Sequence, residues 1–303
     1  MADFPNVFLL QFTPEQWTPL AKLARLVGPP LPNDSNVRVG LRDCLSHLDK
    51  VTVLRRIAAR LRSNLALDRE EMDRLGGTNN VYSQEYAAIC EAIICALYSA
   101  LDGFRTFIFG CYRNVQGVQN GSNGKLFERA SDLKYGPGFP DEVRSMLASA
   151  HKSWFAELRE FRTELTHGST GSCHLDSATD RVMYLNDGIK RGDRAFLKED
   201  IEHLLCSYEE QLRKLVDDVA TFHLAKLEPV PVFHICGMYR FRWYGRMVLS
   251  KASIGFQDGH CLSYDWFEKE DGYLCPLANR CEAYKNKWPG GSASIAGPKA
   301  TEV

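Results

Sequence analysis

Hydrophobic residues recur every three or four positions through most of residues 1–228, which is the pattern of helices that bury one face. The strongest run follows Asp141, and its apolar positions are Val143, Leu147, Ala150, Trp154, Leu158, Phe161 and Leu165. A later run places Ile201, Leu204, Leu205, Tyr208, Leu212, Leu215, Val219 and Phe222 on one stripe. Residues 83–113 are apolar nearly all round, as in the central helix of a bundle. The pattern predicts a mainly α fold, a helical bundle.

The pattern changes at Pro229 and Pro231, which end the last predicted helix and mark a domain boundary. Residues 232–288 are rich in aromatics, Gly and Cys and contain alternating stretches such as MVLSKASIGF, which is typical of β structure. A short strand is also expected at residues 181–185 (RVMYL). The expected parts are a helical N-terminal extension over residues 1–40, the bundle over 41–228, a small β-rich module over 229–288 and a disordered tail over 289–303.

Composition and charge narrow the classes of protein that fit. The 303 residues include 37 Lys and Arg against 38 Asp and Glu, which excludes a globally basic nucleic-acid binder but leaves room for a local basic patch. The most apolar stretch, residues 92–101, is shorter than the roughly 20 residues that span a bilayer, so it is predicted as a buried helix. The amino terminus lacks the basic region of a secretory signal. We therefore expect a cytoplasmic protein with reduced thiols and no membrane partner.

Arg162 and His167 are the candidate catalytic residues. They lie at the end of the strongest amphipathic run, directly before Gly168, and Gly is the usual helix terminator. In an ideal helix, residues five apart point about 140° away from each other. The two side chains therefore converge only if the helix ends near Thr166, or if a symmetric partner completes the site.

The chemistry of this pair suits phosphodiester cleavage. Histidine exchanges protons near neutral pH, and arginine holds a phosphate with two parallel donors. Such a pair could cleave RNA without a metal, through attack of the ribose 2′-hydroxyl on the adjacent phosphate. The plainer interpretation is that Arg162 forms an ion pair with Glu160 or Glu164 and that His167 only caps the helix end.

The segment REFRTELTHG, with Arg162 and His167, resembles the Arg-x(4–6)-His motif of the HEPN superfamily of all-α ribonucleases, toxins and antiviral effectors. The resemblance covers roughly residues 40–228 and includes the order of a long buried helix, a variable loop, the motif helix and a final helix. Thr163 stands where the family often has an amide or acid. Ser169 stands where some toxin members carry a Tyr that their antitoxin modifies, so that mode of regulation is not expected.

The resemblance implies a metal-independent endoribonuclease that leaves a 2′,3′-cyclic phosphate and acts as a toxin or antiviral defence effector. It also implies catalysis by Arg162 and His167 without a cofactor. The expected partners are the RNA substrate, a second copy of the chain whose motif joins the same cleft, and an antitoxin or another defence-system protein. The rival hypothesis is a non-catalytic helical interaction or sensor module that binds nucleic acid or protein through its Cys-rich part.

Three charged residues interrupt the apolar surface of the long predicted helix: Glu91, Asp102 and Arg105. Charges on a buried helix are costly unless they are paired. These residues are therefore either partners of one another within the bundle or accessory site residues that orient the catalytic pair or bind RNA.

Four cysteines fall within the small C-terminal module, and they are Cys236, Cys261, Cys275 and Cys281. Four thiolates could bind a tetrahedral Zn²⁺, which would stabilise a module too small for a large apolar core. The cysteines could instead bind an iron–sulfur cluster, since Cys275-Pro276 is compatible with one. The third possibility is a module that binds no metal. His234 and His260 lie near two of the cysteines and could replace one ligand.

The segment GMYRFRWYGR, beside these cysteines, interleaves aromatics with Arg240, Arg242 and Arg246. Aromatic side chains can stack on bases while arginines contact phosphates, so the three arginines are predicted to bind nucleic acid. The alternative is a strand whose aromatics pack inward and whose arginines face water.

Overall fold

The computed structural model describes residues 9–166, 170–191, 194–239, 242–251, 253–269 and 274–286. In chain order the helices are α1 (Pro19–Leu26), α2 (Ser35–Leu61), α3 (Leu65–Leu75), α4 (Val81–Tyr112), α5 (Asn123–Ser131), α6 (Asp141–Ala150), α7 (Ala156–Leu165), α8 (Ile201–Leu224), α9 (Tyr264–Lys269) and α10 (Glu282–Lys285). The strands are β1 (Leu9–Leu10), β2 (Ser172–Asp176), β3 (Arg181–Arg191), β4 (Arg194–Lys198), β5 (Pro231–Tyr239), β6 (Arg242–Leu249) and β7 (His260–Cys261). The prediction of a mainly α protein is confirmed.

The chain forms two compact units. The helical unit is Pro32–Phe222, and the β unit joins Met1–Leu31 to His223–Val303. This division differs from the predicted N-terminal helical extension over residues 1–40. The physical reason is strand pairing, because Leu9 of β1 lies opposite Met238 of β5 and adds an edge strand to the C-terminal sheet.

Two long helices, α2 and α4, form the most extensive packing in the helical unit. Two glycines allow their backbones to approach closely. A Cβ atom on Gly40 would lie 2.3 Å from the Phe107 backbone nitrogen, and one on Gly103 would lie 2.5 Å from that of Cys44. No larger side chain fits at either position, so these glycines set the distance between the two helices.

Helix α4 matches the predicted central helix. By length and composition alone it could cross a membrane, and 56% of its most apolar window is buried inside the protein. Core helices of soluble proteins pass the same test, so this is weak evidence for a membrane span. The buried side chains of α4 include Ile93, Leu97, Leu101 and Phe104.

The predicted motif helix is one continuous helix with an irregular centre. A π-helical turn over His151–Phe155 joins α6 to α7. A π turn contains an extra residue and therefore rotates the face that the following turns present. Trp154, Leu158 and Phe161 are nevertheless buried, as the hydrophobic pattern predicted.

The described strands form two antiparallel sheets. In the helical unit the strand order is β2-β3-β4. The strand predicted at residues 181–185 is confirmed as the first part of β3, which continues to Arg191. In the β unit the order is β1-β5-β6-β7. A small core in the β unit includes Phe267 of α9 and Tyr284 of α10, together with Tyr244 and Leu277.

Candidate functional site

A polar stripe runs along one side of α4. Its members are spaced by three and four residues, so they share one face of the helix, and each is half-buried: Glu91, Cys95, Tyr98, Asp102 and Arg105. Three of them are the charged residues that the sequence singled out. We call these five residues the α4 stripe.

Arg162 of α7 lies over this stripe. Its guanidinium carbon is 5.1 Å from the centre of the Tyr98 ring, in the geometry of a cation–π contact. Among the described residues its guanidinium has no carboxylate within 4 Å and no hydrogen-bond partner. The expected alternative, an ion pair with Glu160 or Glu164, is therefore not seen in the described part of the chain. The N–H donors of Arg162 are available to another group.

Helix α7 ends at Leu165, and the Thr166 backbone N–H donates to the Arg162 carbonyl. This agrees with the requirement that the helix ends near Thr166. His167 and Gly168 lie outside the described residues. The orientation of His167 towards Arg162 is therefore a prediction that the structure does not test.

Glu91 fixes the chain just after the motif. Its Oε1 atom accepts a hydrogen bond from the Gly171 backbone N–H at 2.8 Å and another from the Tyr184 hydroxyl at 2.7 Å. Burial is the main reason that the pKa of Tyr184 is raised well above its ordinary value. Glu91 thus accepts two hydrogen bonds that hold Gly171, just before β2, and Tyr184 of β3 against α4.

Asp102 and Arg105 pair with each other at 3.5 Å, one turn apart on α4. Burial raises the pKa of the Asp102 carboxyl, and the nearby positive charges of Arg105 and Arg162 oppose that shift. Arg105 also donates to the Gly121 carbonyl at 2.8 Å, in the loop before α5. The accessory prediction and the salt-bridge alternative for this pair are therefore compatible.

The sequence analysis did not single out Tyr98 of the stripe or three residues beside it. Tyr98 could have been found from its place midway between Glu91 and Arg105, seven residues from each. Arg159 lies one turn before Arg162 on α7 and packs against Gly124, where a Cβ atom would be 2.7 Å from its Nη1 atom.

The other two carry no signal in the sequence. His47 of α2 acts on Asp102 electrostatically and, like Arg105, opposes the rise that burial causes in the pKa of that carboxyl. Asn123 is 1% exposed at the start of α5, and its amide opposes the rise that burial causes in the pKa values of Asp102 and Tyr98. Only the packing of separate helices brings these residues to the stripe.

A second cluster lies in the β unit. Cys236, Cys261, Cys275 and Cys281 all line one cavity of about 20 Å³. Burial raises the pKa of the Cys261 thiol to about 12 and that of Cys275 to about 11. Among the described residues, no three of His, Cys, Asp or Glu are packed closely enough to hold a metal ion as they stand.

The two histidines proposed as substitute ligands are engaged elsewhere. His234 packs against both Phe12 and Trp17, at 5.6 and 5.9 Å between ring centres. The His260 Nδ1 atom is 3.0 Å from the Asn286 carbonyl oxygen. Neither residue lines the cavity between the cysteines.

The prediction that Arg246 contacts nucleic acid is wrong. Its side chain is 1% exposed, because it extends into the β unit towards the sulfur atoms of Cys236 and Cys281. Arg240 lies outside the described residues, as does the side chain of Arg242. The alternative of outward arginines and inward aromatics also fails here, since Trp243 is 56% exposed.

Comparison of the chain with protein-family models, curated proteins and solved structures finds no match.

Proposed function

We propose that the helical unit is a metal-independent endoribonuclease of HEPN type, active in the cytoplasm as a toxin or antiviral defence effector. The observation that carries the proposal is Arg162, which lies over Tyr98 with its donors free of any described partner. An arginine held this way can bind a phosphate with two parallel N–H groups. Arg105 and Arg159 add positive charge around the same stripe and favour an anionic substrate.

In the proposed reaction, the ribose 2′-oxygen attacks the adjacent phosphorus and gives up its proton to a base. The bond from phosphorus to the 5′-oxygen of the next nucleotide breaks, and that oxygen leaves with a proton. The products are a 2′,3′-cyclic phosphate and a 5′-hydroxyl. Arg162 binds the non-bridging oxygens and stabilises the charge that develops on them, while His167 transfers a proton.

The proposal includes a homodimer. Two copies would bring two Arg–His pairs into one cleft, so that one histidine could serve as base and the other as acid. An antitoxin or another defence-system protein would restrain this activity in the host. Both partners follow from the resemblance to the HEPN superfamily and from the chemistry of the pair.

The test is cleavage of mixed RNA by the purified full chain in excess EDTA. The compared variants are Arg162→Ala, Arg162→Lys and His167→Ala, with Arg42→Ala as the control because Arg42 is exposed and forms a surface ion pair with its neighbour Asp43. We expect cyclic-phosphate ends from the parent and from Arg42→Ala, and a loss of at least about 100-fold in both alanine variants. Arg162→Lys should recover only part of the rate, because lysine lacks the paired donors.

Two outcomes would contradict the ribonuclease proposal. Equal cleavage by the parent and both alanine variants would remove Arg162 and His167 from the reaction. No cleavage by a folded, dimeric parent would favour the non-catalytic interaction module. Circular dichroism of each variant separates loss of chemistry from loss of fold.

A further inference from the structure

A second cavity of the β unit is far larger than the one between the cysteines. Its volume is about 480 Å³, within the roughly 300–1,000 Å³ that is typical of ligand sites in proteins. It is open to solvent, and its six lining residues all belong to the β unit: Gln11, Trp17, Arg25, Phe233, His234 and Ile235. The function proposed above uses none of them, so the cavity is a candidate site for a separate ligand.

Phe233 gives this cavity an exposed aromatic wall. Its ring lies against β6, because a Cβ atom on Gly245 would be only 2.2 Å from the Phe233 Cε2 atom. The glycine therefore makes room for the ring, and yet 44% of the Phe233 surface stays exposed. An exposed aromatic side chain that is held against a strand offers a surface on which another planar ring can stack.

Arg25 brings a positive charge to the same cavity. It lies in the last turn of α1, where its guanidinium carbon is 4.8 Å from the centre of the Trp17 ring. Its Nη1 atom donates to the Ala21 carbonyl at 3.1 Å, so two contacts hold the guanidinium in place although the residue is exposed. None of the other lining residues is acidic. The charge at the cavity therefore favours an anionic ligand.

Two polar side chains complete the lining with groups that a ligand can hydrogen-bond. Gln11 is exposed, and its backbone N–H donates to the Cys236 carbonyl at 2.8 Å, which holds the residue beside β5. The His234 Nε2 atom is buried and, among the described residues, has no hydrogen-bond partner. A buried polar atom without a partner is costly, and a ligand that pairs with it removes that cost. An amide and an imidazole suit the mixed donors and acceptors along the edge of a nucleobase.

A nucleotide combines the three features that this lining favours: a planar ring, hydrogen-bonding groups on its edge and a negative charge. Single-stranded RNA is recognised in this way, because its bases stack on aromatic side chains while basic residues contact its phosphates. Arg25 is the one cation among the six lining residues. A single cation matches the one phosphate of a nucleotide within a strand better than the several charges of a free nucleoside triphosphate.

We propose that this cavity binds one nucleotide of a single-stranded RNA, with the base stacked on Phe233 and the phosphate bound by Arg25. Nucleic-acid binding in the same unit was expected from Arg246, which is buried, so the contacts are assigned here to different residues. The proposal is independent of the ribonuclease function, because an RNA can bind in the β unit whether or not the helical unit cleaves it.

The test measures binding of a fluorescent single-stranded decamer of 2′-O-methyl RNA to the full chain by anisotropy, in excess EDTA. The 2′-O-methyl group blocks the cleavage proposed above, and every chain carries Arg162→Ala so that this residue adds no phosphate contact. We expect Phe233→Ala to weaken binding at least about fivefold, which is the effect of losing one stacked base. The control is Trp243→Ala, an exposed aromatic of β6 outside the cavity, which should bind within about twofold of the chain without it.

The salt dependence of binding tests the contact between Arg25 and the phosphate. Arg25→Gln should weaken binding and reduce the magnitude of the slope of log Kd against log salt by about 0.7, the value for one phosphate of a single strand. Arg25→Lys keeps the charge and should keep the slope. Lys22→Gln removes a positive charge from the same helix outside the cavity and should also keep the slope. Circular dichroism shows whether each variant is folded.

Three results would overturn the proposal. They are no binding by the folded chain at micromolar concentration, unchanged binding in Phe233→Ala and Arg25→Gln, and losses of the same size in the controls Trp243→Ala and Lys22→Gln. Adenosine and uridine monophosphate, added as competitors, distinguish a strand from a free nucleotide. Weak competition supports the strand, whereas displacement of the decamer by either monophosphate at micromolar concentration would assign the cavity to a free nucleotide instead.

Discussion

Arg162 of the helical unit and Arg246 of the β unit both lie over aromatic rings, and they differ in what their donors contact. Arg162 lies over Tyr98 in the helical unit and is half-buried, with no described hydrogen-bond partner. Arg246 lies 4.3 Å from the centre of the Phe12 ring in the β unit, is 1% exposed, and donates to two carbonyls and two sulfurs. The same residue type is thus available for an incoming anion in one unit and committed to internal partners in the other.

The two units also obtain their cores differently. The helical unit buries long apolar faces of α2, α4 and α8, which supply most of the free energy of folding. The β unit has a smaller apolar core and gathers cysteines and a charged side chain inside it. We therefore expect replacement of Arg246 to change mainly stability and replacement of Arg162 to change mainly activity.

The largest expected effect comes from replacing the buried arginine. Arg246→Met should lower the free energy of unfolding by about 3–5 kcal/mol, because the Phe256 and Asp258 carbonyls lose their buried donor. The matched change Arg162→Met should alter stability by less than about 1 kcal/mol. Urea unfolding of both variants measures the difference. Equal losses of unfolding free energy in the two variants would contradict the view that Arg246 is committed to internal partners and Arg162 is not.

A pH effect of similar size is expected in the β unit. Burial lowers the pKa of His223 to about 4 in the folded chain, against about 6.5 when the chain is unfolded. Between these pH values the unfolded state binds a proton that the folded state does not, so stability falls as the pH falls. The full loss below pH 4 is on the order of 3 kcal/mol.

His223→Gln removes this titration and should lose less stability than the parent between pH 6.5 and 4. Urea unfolding at several pH values compares the two proteins. Parallel pH profiles would show that His223 is not held neutral by burial. The absolute stability of the variant at pH 7 does not enter the comparison.

A smaller loss of stability is expected when Glu91, the acceptor for Gly171 and Tyr184 in the helical unit, is replaced. Glu91→Ala leaves the Gly171 N–H and the Tyr184 hydroxyl without their acceptor, which should cost about 1–3 kcal/mol. Tyr184→Phe removes only one of these bonds and should cost about 1 kcal/mol. The control is Glu85→Ala, an exposed position on the same helix. Thermal unfolding ranks the three variants, and a Glu91 variant as stable as the Glu85 variant would contradict the assignment.

The smallest effect concerns the ring beneath Arg162. Tyr98→Phe keeps the ring and should leave RNA cleavage within about twofold of the parent. Tyr98→Leu removes a cation–π contact of about 0.5–1 kcal/mol, which corresponds to a two- to fivefold loss in kcat/KM. Initial rates on one RNA substrate measure both variants. A loss in Tyr98→Phe as large as in Tyr98→Leu would assign the role to the hydroxyl group instead of the ring.

The helices could be predicted well because their signal is local. The spacing of apolar residues located α4, the motif helix and α8, and the prolines at 229 and 231 follow within a few residues of the end of α8 at Leu224. The π-helical turn at His151–Phe155 could not be predicted, because the apolar spacing across it is compatible with an ordinary helix. The sequence also did not predict that residues 9–31 belong to the β unit, because the pairing of Leu9 with Met238 joins segments more than 200 residues apart in the chain.

The sequence by itself determined the classes of residue that carry chemistry: the Arg162–His167 spacing, the charges on α4 and the four C-terminal cysteines. Tertiary structure decided their surroundings. It placed Arg162 over Tyr98, brought His47 and Asn123 to Asp102, arranged the cysteines around one cavity and buried Arg246 among them. Local spacing reports which face a side chain occupies, but the burial and charge that set its chemistry depend on which distant segments pack against that face.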